Sequence, residues 1–150
     1  MATKSIVDTR ELNALADQLA TAADKTADNI GVAVKKFAFV IDRKAKEKIQ
    51  KGTRSGVTYK RGGKKTTRSA EGEPPKTDTG RLVASIRPVF FGRFSAEVGS
   101  LNNIAVYGGM LEDGTKNMAA RPWLEPTLKE NQGELSRLFD TAIKTGGLAK

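Results

Sequence analysis

The chain has no cysteine and no histidine. The first absence removes disulfides, thiolate nucleophiles and cysteine-ligated zinc. The second removes the commonest general base, every Ser-His-Asp arrangement and most zinc or iron sites. Aromatics are scarce, at 6%. No apolar run approaches the roughly 20 residues that a membrane span requires, and MATKSIVDTREL lacks the apolar core of a signal peptide. A soluble chain made in the cytosol, with little catalytic hardware, is expected. Acidic residues are also in the minority, leaving a net charge of +9 over 150 residues. One domain with a single core fits this length. The charge points to polyanionic partners, either nucleic acid or acidic protein faces.

Most of that charge sits in one place. Between residues 43 and 68 there are eleven Lys or Arg residues and one acid, Glu47. At the centre of this run stands YKRGGKKTTR, residues 59–68. It does not fit a phosphate-gripping Walker loop. Gly63-Lys64 is followed by Lys65 rather than Ser or Thr, and no apolar strand precedes it. Glu112 and Asp113 are adjacent, without a partner at helical spacing to make a metal-carboxylate set. Ser85 and Lys76 read as cap and loop residues rather than as a catalytic pair. No catalytic residue, cofactor or metal site is expected, and the chain reads as a non-enzyme.

Asp8 and Glu11 have the spacing of a capping box. From Leu12 the apolar residues step by three or four through Leu15, Leu19, Ala23, Ala27, Ile30, Val34, Phe37, Ile41, Ala45 and Ile49. That is one face of a helix over 8–50. It is either continuous or two helices joined near Asn29-Ile30-Gly31. The bulkier second half is expected on the core and the Ala-rich first half against a neighbour. From 51 to 78 the periodicity is lost among seven Gly and Pro residues. A basic extended arm is expected there, held in place by a partner surface, because its composition offers little apolar burial. Arg54, Tyr59, Lys60, Arg61, Lys64, Lys65 and Arg68 are the candidate contact residues.

The remainder, 79–145, predicts an α+β core. Thr77, Asp78 or Thr79 caps a short helix carrying Leu82, Val83 and Ile86. A hairpin follows, turning on Gly92-Arg93, with Val89 and Phe91 on the same face as Phe94, Ala96 and Val98. A further helical turn is expected over Ile104 to Leu111, then an irregular link bending at Gly114. A last helix opens at Pro122 and Pro126, is interrupted at Gly133 and ends at Gly146-Gly147. The expected fold is α+β, with a long N-terminal helix and a C-terminal helix on a small antiparallel sheet, and a long extended basic loop.

Three boxes in this half carry a resemblance. The first is Thr79, Gly80, Arg81, Leu82, Ser85 and Ile86, after a proline-containing loop. The second is Tyr107, Glu112, Gly114 and Thr115. The third is Ala120, Arg121, Pro122, Trp123, Leu124 and Pro126. In order and spacing, over about residues 73–130, they resemble the neck or tail-completion proteins of long-tailed bacteriophages, a tail-component, tail-terminator-like family. Two departures stand out: Tyr107-Gly108-Gly109 where the family has aromatic-Ala, and Asp113 where an aromatic is common. Looser packing is expected there.

The resemblance implies a structural subunit of the head–tail junction in the virion, assembled in the host cytoplasm. It implies a homo-oligomeric ring of six copies on the DNA-passage axis, touching neighbouring neck, connector or tail-tube proteins, without a membrane. On this view the boxes are structural, with Trp123 and Leu124 as core anchors and Arg121 bonding carbonyls or an acid. The alternative is a sequence-nonspecific nucleic-acid-binding protein that uses the basic 43–68 segment. Tyr59 as the lone aromatic in that segment leaves little means of stacking bases.

Overall fold

The computed structural model of the chain describes residues 9–100 and 106–147, with the backbone alone at Arg61. Asp8 and Ile104 therefore lie outside the described residues. The fold is α+β. Its elements run α1 (Thr9–Lys51), β1 (Thr58–Arg61), β2 (Lys64–Thr67), α2 (Arg81–Ser85), β3 (Ile86–Phe90), β4 (Ala96–Ser100), α3 (Tyr107–Asp113), α4 (Glu125–Glu130) and α5 (Gln132–Gly146).

Helix α1 is a single element of 43 residues, about 65 Å at 1.5 Å per residue. Gly31 does not break it. A Cβ at Gly31 would come within 3.0 Å of the Arg93 carbonyl oxygen. The glycine therefore admits the tip of the β3–β4 hairpin, whose Arg93 guanidinium pairs with Asp28 and donates to the Asp24 carbonyl. The second half of α1 lies on the core, as its bulkier stripe predicts. Ala45 and Ile49 are buried with Leu82, Ile86 and Trp123, and Val83, Val98, Leu111 and Leu124 pack around them. From Thr9 to Ala20 every residue is exposed.

Strands β3 and β4 pair antiparallel, with Ile86 opposite Ser100, Pro88 opposite Val98 and Phe90 opposite Ala96. Directly opposed residues share a face. Val89 and Phe91 therefore lie on the side away from Ala96 and Val98, contrary to the sequence expectation. The Phe91 N–H donates to the Ser95 carbonyl at 2.9 Å, so the turn holds three residues, Gly92 to Phe94, rather than two. One extra turn residue inverts the facing of one strand relative to the other.

Helix α2 starts after Gly80, at φ 74, with no side-chain cap, so Thr77, Asp78 and Thr79 do not fill that role. The last apolar rhythm divides into α4 and α5 at Asn131, not at Gly133. It ends at left-handed Gly147, as expected. Helix α5 runs along α1. Asn29 donates to the Ala142 carbonyl and the Thr145 hydroxyl at 3.4 and 3.1 Å. Gly146 sits so close to Thr26 that no Cβ would fit between them.

Candidate functional site

The basic segment contains a hairpin that aperiodicity concealed. Strands β1 and β2 pair with Thr58 opposite Thr67, Tyr59 opposite Thr66, Lys60 opposite Lys65 and Arg61 opposite Lys64. Gly62 and Gly63, with φ of 55 and 80, make the two-residue turn. Two adjacent positive-φ glycines are the signature of a tight hairpin turn. That signal was present in the sequence, but the flanking polar residues hide any in–out alternation.

The charge arrangement at this tip is unusual. Lys60 faces Lys65 and Arg61 faces Lys64, so the backbone register sets cations directly opposite one another. Like charges in such positions destabilise a ladder, and a two-stranded hairpin is marginal on its own. Lys60, Lys64 and Lys65 are exposed, as is Arg54. Tyr59 is exposed, and the Arg68 guanidinium lies 5.7 Å from its ring centroid. The tip therefore presents a compact cationic surface with its aromatic already engaged. An anionic partner would relieve its internal repulsion.

The base of the same segment is tied to the chain's own core, where the sequence predicted ordering by a partner. Arg121 is 7% exposed, and its Nε–H donates to the Ser69 carbonyl at 3.2 Å. The Gly72 N–H donates to the Ala120 carbonyl at 2.9 Å, and the Thr77 N–H to the Ile49 carbonyl at 3.2 Å. A Cβ on Gly56 would lie 2.4 Å from the Ser69 carbonyl oxygen, so only glycine lets the two limbs close. The Ser55 and Thr53 hydroxyls both donate to the Glu73 carboxylate. These bonds, Ser55 first, then Thr53, with the Ala70 N–H adding to them, hold the Glu73 carboxyl below its ordinary value. Backbone bonds, one buried guanidinium and the Glu73 carboxylate hold this segment, with Pro75 its one buried apolar residue.

This division has a measurable consequence. Joining Val57 to Arg68 through a Gly-Gly turn, without the β1–β2 hairpin, is expected to leave helicity unchanged by circular dichroism. Removing all of 52–72 deprives Arg121 of the Ser69 carbonyl and is expected to cost about 1–3 kcal/mol in urea melts. Loss of helicity in the shorter deletion would show that the hairpin belongs to the core.

The three boxes converge around Trp123. In the first, Leu82 and Ile86 enter the core. The buried Ser85 hydroxyl donates to the Leu82 carbonyl at 2.7 Å and pairs with the Ser100 hydroxyl at 2.9 Å. Thr79 and Arg81 are exposed. In the second box, Tyr107 is exposed, while Glu112 binds three backbone N–H groups, of Trp123, Leu124 and Glu125, at 2.7, 2.9 and 2.7 Å. Gly114, at φ 76, turns the chain so that Thr115 and Met118 exchange backbone bonds. In the third, Arg121 also reaches the Ala119 carbonyl at 3.4 Å. Pro122 is half-buried ahead of α4, and Pro126 lies in its first turn.

Packing at Gly108 is tight, not loose. A Cβ there would come within 2.9 Å of Ser100 Cβ, and the Gly108 carbonyl accepts the Trp123 indole N–H at 3.2 Å. The Glu112 cap was not visible in the sequence, because a carboxylate eleven residues before its first donor carries no local capping signature.

Among the described residues no group of three His, Cys, Asp or Glu side chains could hold a metal ion. No helix among them is long and apolar enough to cross a membrane. The features define a class: a small α+β protein with one overlong helix, a rigid motif-bearing core and a cationic hairpin. Compared with known protein families, curated proteins and solved structures, the chain matches none.

Proposed function

We propose that this chain is a structural subunit of the head–tail junction of a long-tailed bacteriophage. It is a neck or tail-completion protein that forms a ring, of six copies by the resemblance, through which DNA passes. The observation that carries the reading is the order and spacing of the three boxes over residues 73–130. Their use in the fold supports it. Leu82, Ser85, Ile86, Glu112, Arg121 and Trp123 all engage the chain's own backbone or core, leaving none of these six aimed at a substrate. That is how a protein whose task is shape and assembly is built. Size-exclusion light scattering of the purified chain tests the ring, and labelled virions imaged by electron microscopy test its place.

In this reading the hairpin docks on an acidic face of a neighbouring subunit or ring. The opposed cations of β1 and β2 also support a second reading, nonspecific binding to nucleic acid, which ranks behind the first. Charge reversal of Lys60, Arg61, Lys64, Lys65 and Arg68 to Glu separates the two. If the hairpin grips protein, the variant fails to assemble or dock and its weak duplex affinity barely changes. If it grips phosphate, assembly survives and the salt dependence of DNA binding flattens by about 0.9 in slope for each phosphate no longer neutralised. Normal assembly without DNA binding would reverse the order of the two readings.

A further inference from the structure

Two apolar surfaces of the chain differ in shape. One is convex. Leu12, Leu15 and Leu19 are 57%, 51% and 55% exposed on the projecting first turns of α1. They share a face, being three and four residues apart. The next positions at this spacing are Ala22, Thr26, Asn29 and Ala33, and from Thr26 onward α5 covers them. Asn29 bonds to Ala142 and Thr145, and Thr26 abuts Gly146. Helix α5 ends at Gly146. The leucines thus continue a seam that is helix-covered further along and uncovered at their own level.

The other surface is concave. A groove of about 480 Å³ runs between the middle of α1, strand β4 and helices α4 and α5, with Phe37, Ile41, Val98, Leu128, Leu135 and Phe139 among its lining. Leu128 is 43% exposed at this groove. A helix presenting apolar side chains three and four apart is the shape that such grooves receive.

We propose that the Leu12–Leu15–Leu19 stripe of one copy seats in the groove of a second copy, head to tail. The inference rests on the assembly reading above and names its interface. Pairing stripe with stripe would leave the groove open, whereas stripe in groove covers both surfaces at once. Such an interface is heterologous, and repetition closes it into a ring or extends it into a filament. The projecting turns from Thr9 to Thr21 make a rod of about 20 Å, which with its groove buries on the order of 1,000 Å² over both partners, the lower bound for a specific interface. One such interface is weak, and a closed ring, in which every chain makes two, is stable.

The natural absence of cysteine gives a direct test in the full chain. Leu15→Cys and Leu128→Cys each replace an exposed side chain, so folding is expected to survive and is checked by circular dichroism. Mixed under mild oxidation, the two variants should give a disulfide-linked dimer, and neither alone should link. Leu15→Glu should reduce the wild-type assembly to monomer in light scattering. Linking by Leu15→Cys alone would mean stripe-on-stripe pairing and overturn the proposal. So would linking of Leu15→Cys to Phe39→Cys, on the separate Phe39–Phe90 patch, in preference to Leu128→Cys. Rings that persist with Leu15→Glu would overturn this interface and leave the assembly reading standing. Linked Leu15→Cys and Leu128→Cys dimers, beside a wild-type chain that forms open filaments, would do the reverse. A monomeric wild type together with cysteine variants that do not link would end both.

Discussion

Trp123→Ala is expected to cost about 3–5 kcal/mol, the largest single effect in the chain. Trp123 is 2% exposed at the meeting point of Ala45, Ile49, Leu82 and Ile86. Truncation leaves a void walled by several different elements, which cannot all move inward together. It also strands the Gly108 carbonyl, which now accepts the indole N–H. Trp123→Phe keeps most of the volume and loses that bond, so it should cost about 1–2 kcal/mol. As the only tryptophan, Trp123 reports on itself. Its emission should be blue-shifted in the native single chain and move to the red on unfolding. A water-exposed maximum in the monomer, shifting only on assembly, would make Trp123 an interface residue and refute the burial described here. Urea melts of the alanine variant within about 1 kcal/mol of wild type would refute the packing argument.

Glu112→Ala is expected to cost about 2–4 kcal/mol, although its side chain is only half-buried. The reason is multiplicity. One carboxylate satisfies the N–H groups of Trp123, Leu124 and Glu125, which lead into α4 and have no intrahelical acceptor. It also pins the end of α3 to the chain that delivers Trp123 to the core. Glu112→Gln is nearly isosteric but turns one acceptor oxygen into a donor facing another donor, so it should recover little. Glu125→Gln, at an exposed position in the same short helix, is the control and should stay within about 0.5 kcal/mol of wild type. If Glu112→Gln melts with wild type, the carboxylate is not the cap that the geometry describes.

The amino-acid sequence by itself determined a good part of this protein. The three-and-four rhythm from Leu12 to Ile49 determined the helical character of this stretch and which of its halves meets the core, because helical period is a local property of the chain, but left open whether it breaks near Gly31. Gly147 at the end of α5, the bend at Gly114 and the existence of the β3–β4 hairpin were legible for the same reason. Each depends on residues within a few positions of one another.

Only the tertiary structure decided the rest. The β3–β4 turn takes three residues, with Arg93 at its tip reaching Asp28 on α1, 65 residues away, and the resulting strand register sets which side chains share a face. The basic segment is ordered at its root because Arg121 meets Ser69 across 52 residues. The Glu112 cap and the depressed Glu73 carboxyl arise from bonds that cross loops. Such pairings leave no periodic trace. A buried polar group must find a partner once desolvated, but the partner's place in the chain is set by how the elements pack, not by local propensity.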